Sequence, residues 1–217
     1  MRKSKAETAE TRRRIVEVAS KAFRSQGIEA TGVAEIMAAA GLTHGGFYRH
    51  FSSKEELVAE AVAMSLEQLV LQSERAANQG AEAALNHALE YLSPTHRDDV
   101  EHSCTFAATG SELVRANEKT RHIASEAFKR TVEGLAPFMC TTHGADRSSV
   151  AISLLTNMIG ALTISRVVDD PKLSEQILEV TRRRIAKTFD VPSSKHREQL
   201  ARRTQKSRQK PARSKMQ

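Results

Sequence analysis

Hydrophobic residues recur every three or four positions along most of the chain, which is the spacing of an amphipathic helix. From about Thr8 they mark one face of a first helix, which Gly27 is suited to end. The pattern returns at Val33 in a short second helix that ends at Gly41, and Thr43 can cap a short third helix. The first 52 residues are therefore predicted to form three helices.

Longer helices are predicted over residues 53–191. Ser53-Lys-Glu-Glu56 has the pattern of a capping box that opens a long helix. No segment alternates as a β-strand does, so the predicted fold class is all-α. Further helices are predicted at residues 80–92 (ended by Pro94), 100–116, 117–135 (capped by Asn117), 147–168 (capped by Asp146) and 172–189 (after Asp170-Pro171).

The net charge of +7 conceals an asymmetry. Residues 1–24 carry eight Lys/Arg and three Asp/Glu, and residues 182–217 carry thirteen Lys/Arg and two Asp/Glu. Residues 25–181, by contrast, carry twelve Lys/Arg and twenty-one Asp/Glu. Basic ends around an acidic body are typical of a protein that meets a polyanion with only part of its surface, although solvated tails have the same composition. The tail over residues 192–217 is predicted to be disordered and to add sequence-independent affinity for DNA.

Several classes of protein are excluded by what the sequence lacks. Cys104 and Cys140 are the only cysteines and have no metal-ligand or redox spacing, and the histidines form no ligand set, so no metal or cofactor is predicted. No secretory signal and no apolar stretch of about 18 residues is found, which favours a cytoplasmic protein without membrane contact. Phosphate-loop and nucleophile motifs are also missing, so the chain is not predicted to be an enzyme.

Residues 33–50 have the layout of a helix-turn-helix, in which a short second helix enters the major groove of DNA. Gly45 and Gly46 lie within that second helix, where each costs about 1 kcal/mol relative to Ala, and close approach to another surface explains them. An ordinary helical hairpin is the alternative. Hydrogen-bond donors suited to phosphates and bases cluster at Tyr48, Arg49, His50 and Lys54.

A contiguous stretch of the chain resembles the N-terminal domain of the TetR family of repressors. The resemblance lies in Thr8 to Phe23, Gly27, Val33-Ala-Glu-Ile36, Ala40 to Phe51 and Ser53 to Leu57. It implies a three-helix DNA-binding domain (residues 1–52) on a larger helical domain (53–191) that binds a small-molecule inducer of unknown identity and dimerises. Such a protein is expected to repress transcription from palindromic double-stranded operator DNA and to release it when the inducer binds.

The resemblance also assigns roles to residues. It implies that Thr43, His44, Gly45 and Gly46 face bases, and that Tyr48 and Lys54 contact phosphates, with Arg49 and His50 as further contacts. Phe47 and Phe51 match buried positions. Where many members have two adjacent hydroxyl residues, this chain has Thr31-Gly32, so Thr31 is expected to supply the phosphate contact.

In the helical domain the predictions are coarser. The last two helices match the family's dimer interface, for which Leu155, Ile159, Leu162 and Ile177 are the candidates, although a core within one chain would give the same pattern. Cys104 is a candidate redox or electrophile sensor, against the alternative of a small buried residue. A sequence-indifferent nucleoid protein is a further alternative. The candidate inducer pocket, which could equally be plain core, comprises Met64, Tyr91, Phe106, Phe128 and Met139.

Overall fold

A computed structural model describes residues 5–141 and 146–191, and helices dominate this part of the chain. The head consists of α1, α2 and a 3-10 helix, and the body consists of α3 to α9. The helices are α1 (Lys5–Gln26), α2 (Val33–Ala39), the 3-10 helix (His44–Arg49), α3 (Lys54–Asn78), α4 (Ala81–Tyr91), α5 (Pro94–Asp98), α6 (Thr105–Leu113), α7 (Glu118–Leu135), α8 (Arg147–Val167) and α9 (Pro171–Ile185).

The head is built on a hydrophobic core that continues into the body. Ile15 of α1, Ile36 of α2 and Phe47 of the 3-10 helix are all buried, and Leu57 of α3 belongs to the same cluster. That cluster reaches Leu113 at the end of α6. The head therefore packs directly on α3 and α6, so a movement of either helix is transmitted to the head.

A second core joins α4, α7, α8 and α9. Leu92, Met139 and Leu162 are fully buried in the body, and Leu178 of α9 packs into the same core as α4 and α8. The 3-10 turn Ala136–Phe138 follows α7 directly. The body is thus a bundle of helices, of which α5 and α6 are the shortest.

Three of the predicted helix caps are confirmed by local hydrogen bonds, whereas Thr43 precedes the 3-10 helix without a side-chain hydrogen bond to it. Asn117, Asp146 and Asp170 each accept a hydrogen bond from a backbone N–H in the first turn of the following helix. Ser53 accepts one from Glu56 N, but the Glu56 carboxylate accepts from Ser52 N, so only half of the predicted capping box forms.

Two predicted helix boundaries are wrong, and one short helix was not predicted. α4 ends before Pro94, as predicted, and that proline then starts the short α5 as its first residue. The helix predicted from residue 100 begins at Thr105, because Val100 to Ser103 form a turn closed by a backbone hydrogen bond. α9 ends at Ile185, and Phe189 then forms an isolated antiparallel bridge with Met139. The basic tail lies outside the described residues.

The apolar character of α8 corrects another expectation. By length and composition alone, α8 could cross a membrane. The prediction that the chain has no apolar stretch of about 18 residues is therefore wrong. A core helix in a water-soluble protein passes the same test, and one such helix is weak evidence for a membrane protein. Leu154, Met158 and Leu162 of α8 are buried in the bundle, as in a core helix.

Candidate functional site

The recognition segment, Thr43–His50, is held by one buried aromatic residue. Phe47 is only 1% exposed and stacks on Phe51, with ring centroids 5.5 Å apart. The segment follows a turn in which Gly41 adopts a positive φ of 70° and Leu42 N donates to Met37 O at 2.8 Å. Because Gly tolerates positive φ, α2 can end sharply there and the next helix can leave at a new angle.

The outer face of the recognition segment carries the side chains predicted to contact DNA. Tyr48 is 71% exposed, its ring lies edge-on to Phe47, and Arg49 is also exposed. Thr43, His44 and Gly45 are exposed, whereas Gly46, His50 and Lys54 are half-buried. The fold therefore brings the eight residues of this predicted set onto or beside one short projecting segment.

The two glycines of the recognition segment are not required by the protein's own packing. A Cβ at Gly45 would meet nothing within 4 Å, and one at Gly46 would make an ordinary 3.6 Å contact with Met37. The described glycines with positive φ are Gly27, Gly41 and Gly80, so this pair is not needed for backbone conformation either. A side chain could therefore be added at either position without a clash, as it could at Gly32, Gly110, Gly134 and Gly160.

Thr31 is a correction to the predicted DNA contacts. It is fully buried, and its hydroxyl donates to Gly27 O at 2.6 Å. A hydroxyl used in this way closes the turn after α1 and is not placed to reach a phosphate. Lys54, by contrast, lies at the first position of α3, and its Nζ donates to Glu29 O at 3.3 Å on the edge of the head.

An ionic brace connects α1 to α3 behind the recognition segment. Arg12 donates to Glu56 (Nη2–Oε1 2.7 Å) and to Glu60, and its guanidinium lies 4.1 Å from the ring centroid of Phe51. The pKa of Glu56 falls from 4.5 to about 2, first because its carboxylate accepts the Ser52 N–H, then through the Ser52 hydroxyl and Arg12. Sequence patterns did not reveal this brace, since its partners are 44 and 48 residues apart.

α6 connects the head to the interior of the body. At its C-terminal end, Glu112 accepts a hydrogen bond from Glu29 N in the head, at 2.8 Å. At its N-terminal end, Thr105 shares a 2.7 Å hydrogen bond with Ser65 of α3. Just before α6, Glu101 O accepts a 2.7 Å hydrogen bond from Arg24 of α1. Both ends of this helix therefore touch elements that carry the head.

An inner cavity of about 50 Å³ lies among α3, α4, α6, α7 and α8. Tyr91, Phe106 and Phe128 line it, as predicted, and the last two rings meet edge-to-face at 5.9 Å. Met64 and Met139 do not line it: Met64 packs beside the head core, and Met139 is fully buried between α7 and the bridge to Phe189. Sequence spacing could not separate these methionines from lining residues, because both kinds repeat at helical positions.

The candidate dimer residues face mostly inward. Leu155 and Ile159 line the inner cavity, Leu162 is fully buried and Ile159 is half-buried, so Leu155 and Leu162 offer little surface to a partner chain. Ile177 is half-buried. The exposed apolar face of α8 and α9 instead comprises Ile152, Ile164, Val167, Leu173 and Val180.

Cys104 is buried at the N-terminus of α6, where it is the capping residue. Burial raises the pKa of its thiol, and the lowering contributions from the Tyr91 side chain and the α6 backbone are smaller. The sulfur is therefore a neutral thiol at pH 7, unlike the thiolate that a reactive cysteine requires.

Comparison with known proteins finds sequence similarity in the head and the start of α3. Residues 15–61 match the family model described as "Bacterial regulatory proteins, tetR family". The chain is similar to the HTH-type transcriptional regulator AcrR of Shigella flexneri (44% identity over 64 residues, 30% of each chain). It is also similar to the HTH-type transcriptional repressor BepR of Brucella suis biovar 1 (35% identity over 78 residues, 35% of this chain and 37% of BepR). The match thus spans about a third of these relatives.

The body is recognised by its fold alone. The crystal structure of Escherichia coli NemR in its reduced form superposes with a TM-score of 0.72, covering 85% of this chain and 99% of NemR. Sequence identity in that pair is 15%, so the likeness shows a shared architecture of head and helical body and nothing about ligands.

Proposed function

We propose that this chain, whose head belongs to the TetR family of bacterial regulatory proteins, binds a palindromic operator as a homodimer and releases it when a small molecule enters the body. Related proteins of this family are transcriptional regulators and not enzymes, and one of them, BepR, is a transcriptional repressor. Repression is accordingly the expected outcome of operator binding.

The observation that carries this proposal is the recognition segment. It projects from the turn after α2, exposes Tyr48 and Arg49, and has two glycines that the fold does not need. A major groove about 12 Å wide admits such a segment, and the missing Cβ atoms let its backbone approach base edges. Phosphate contacts from Tyr48 and Lys54 would then fix its register along the duplex.

The exposed apolar face of α8 and α9 supports the homodimer. Ile164 is 50% exposed and Val167 is 72% exposed. Gly160, one turn before Ile164 in α8, has no side chain and so leaves room for the close approach of another helix. Isologous pairing of this face would relate two heads by a two-fold axis, and a palindromic operator needs two heads about one DNA turn apart.

Release of DNA by a ligand is supported by the position of α6. Its first turn lies at the inner cavity through Cys104 and Phe106, and Glu112 at its other end holds the head at Glu29 N. A ligand that enlarges the cavity would displace α6, and the head would follow, because it is packed on the same helix. Such a ligand stabilises the form with lower operator affinity.

Sensing of oxidants or electrophiles through Cys104 is the weaker alternative. The raised pKa and burial of this thiol disfavour attack, although the side chain does line an outer groove as well as the inner cavity. Operator binding by the Cys104→Ser protein under peroxide and quinone challenge separates the two mechanisms. Loss of the response in that variant alone would establish the redox mechanism, and an unchanged response would remove it.

A competition gel shift tests the DNA-binding proposal itself. Fragments from upstream of the chain's own gene are incubated with the purified full chain, without ligand and with excess random DNA. A regulator gives a shifted complex that survives the competitor, whereas a sequence-indifferent nucleoid protein loses it. A protein that shifts none of these fragments contradicts the proposal.

A further inference from the structure

Two neighbouring spaces in the body meet at one wall, which we name the Cys104 junction. Leu69, His87, Tyr91 and Cys104 line both the inner cavity and an open outer groove of about 850 Å³ between α3, α4 and the turn before α6. The inner cavity alone has room for water or a very small molecule. A shift of the side chains in this wall would join the two spaces into a site large enough for a typical ligand.

Two buried polar atoms near this junction are poorly satisfied by the described residues. The Tyr91 hydroxyl has no partner other than the weakly hydrogen-bonding thiol of Cys104, and Nη1 of Arg166, a residue that lines neither space itself, has no hydrogen-bond partner. Both side chains interact electrostatically with Cys104 and with each other, so they belong to one cluster. Buried donors are nearly always satisfied in folded proteins, and unsatisfied ones cost stability. A ligand that binds reversibly and accepts hydrogen bonds from these atoms would explain them.

Arg24 and Arg166, beside the same cluster, have no carboxylate in direct contact, although Asp99 and Glu101 act on Arg24, and Asp98 and Asp99 on Arg166, from a greater distance. Burial lowers the pKa of both Arg24 and Arg166, yet both stay charged, and neither forms an ion pair within the described part of the chain. Arg24 donates to Glu101 O and Ser20 Oγ. Arg166 donates to Arg97 O, His96 O and Ser103 Oγ. All these acceptors are neutral, whereas buried cations are usually paired with anions.

The other titratable groups around the junction include both neutral histidines and carboxylates. Burial lowers the pKa of His87 and His96, so both are neutral at pH 7. Asp98 is paired with Arg97, Asp99 is hydrogen-bonded to His102 at the exposed edge of the groove, and Glu90 and Arg75 line the groove as well. What distinguishes Arg24 and Arg166 is that all their direct hydrogen-bond acceptors are neutral.

We propose that the Cys104 junction binds the carboxylate of a small apolar acid, with the Tyr91 hydroxyl and Arg166 Nη1 as donors and Arg24 as a second positive charge. The inference rests on the proposed function and names the chemical class of its ligand. The apolar body of the acid lies in the enlarged inner cavity against Phe106 and Phe128. Since Arg24 belongs to α1 and Arg166 to α8, the bound carboxylate links the head to the body.

Matched probes test the chemical class directly. Isothermal titration of the full chain at pH 7.5 compares benzoate and 2-naphthoate with benzyl alcohol, 2-naphthalenemethanol and 2-naphthylmethylamine. At least one carboxylate is expected to bind tenfold or more tightly than its own alcohol, and the ammonium compound is expected to bind worst. Equal affinity of acid and alcohol, preference for the amine, or no binding of either acid overturns the inference.

Variants locate the site. Tyr91→Phe removes a buried hydroxyl whose one partner in the fold is the weakly hydrogen-bonding Cys104 thiol, so its melting temperature should stay close to that of the parent while the preference for the acid falls at least fivefold. Arg24→Gln should lower that preference as well. Arg121→Gln, which removes an exposed arginine on α7, is the control and should keep it. An unchanged preference in Tyr91→Phe contradicts the assignment.

A spectroscopic readout separates ligand contact from a structural effect. The chain has two tyrosines, so labelling with 3-fluorotyrosine gives two ¹⁹F signals, which Tyr48→Phe assigns. The carboxylate should move the Tyr91 signal and leave the Tyr48 signal in place; movement of neither signal counts against the inference. Operator binding is recorded on the same protein. Intact operator binding without acid preference defeats only this inference, while absence of any operator binding defeats the proposed function.

Discussion

Neighbouring aromatic residues of the recognition segment should respond to mutation in opposite ways. Phe47 is 1% exposed and makes ring contacts with both Phe51 and Tyr48, whereas Tyr48 is 71% exposed. If the segment is a supported, projecting DNA-binding element, Phe47→Leu should damage stability and DNA binding together. Tyr48→Phe should damage DNA binding alone, since it removes only an exposed hydroxyl.

The magnitudes follow from the contacts. Phe47→Leu loses two aromatic pairs, worth about 0.5–1.5 kcal/mol each, and leaves a partly filled space, so a cost of about 2 kcal/mol is expected. In a chain of this size that is a fall of about 4–8 °C in melting temperature. Tyr48→Phe should change stability by less than about 0.5 kcal/mol. Loss of one hydrogen bond to a phosphate per head, about 1.5 kcal/mol each, should weaken the dimer's DNA affinity about 100-fold.

Differential scanning calorimetry and fluorescence anisotropy with a labelled operator measure the two effects on the same preparations. The reasoning is refuted if Tyr48→Phe lowers the melting temperature as much as Phe47→Leu does. It is refuted equally if Tyr48→Phe binds the operator as tightly as the parent, or if Phe47→Leu melts at the parent temperature.

Three other perturbations test the head, the dimer and the ionic brace. Lys54→Ala should reduce the slope of log affinity against log salt by about 0.9 per head in anisotropy titrations, and an unchanged slope excludes a phosphate contact. Ile164→Asp, at a half-exposed position, should turn the dimer into a monomer in sedimentation at micromolar concentration. The control Val114→Asp, at an exposed apolar position outside α8 and α9, should remain a dimer. If both variants are dimers, or both are monomers, the assigned interface is contradicted. Because the folded pKa of Glu56 is about 2, below its ordinary 4.5, stability from this group is present above pH 4.5 and is lost as pH falls towards 2. Thermal melts of Glu56→Gln should therefore fall less steeply over that window than those of the parent, and parallel curves would show that the contacts of Glu56 with Ser52 and Arg12 contribute nothing.

Local chemistry could be predicted from the sequence, because its causes lie within a few residues. Asn117, Asp146 and Asp170 each cap a helix with an oxygen that reaches an N–H two or three residues ahead. The turn at Gly41 and the buried Phe47 have the same local origin. The recognition segment could therefore be located from its spacing alone.

Orientation of α8 could not be predicted in this way. The helix is apolar on most sides, so periodicity does not distinguish Leu155 and Leu162, which face inward, from Ile152 and Ile164, which are exposed. Only the positions of the packed neighbours decide which side remains free. The prediction that Thr31 contacts a phosphate was wrong for a related reason. Whether a hydroxyl faces outward or closes a turn depends on the path of the backbone.

The ligand side of the molecule depends on contacts distant in sequence. Arg24 meets Glu101 O across 77 residues and Arg166 meets Ser103 across 63, so no motif could place both guanidinium groups beside Cys104. A charged residue in a helical pattern is normally read as exposed. Arg24 is buried and Arg166 is half-buried because of how the helices pack, and the sequence does not contain that information.

Selection of bound sequences from a randomised DNA library tests the central claim most directly, with the parent chain and His44→Ala compared side by side. The account predicts that the parent yields a palindromic consensus and that His44→Ala yields one altered at symmetry-related positions in both halves. A library that yields no consensus, or a consensus identical in the two proteins and in a variant at Thr43, would contradict recognition through this segment.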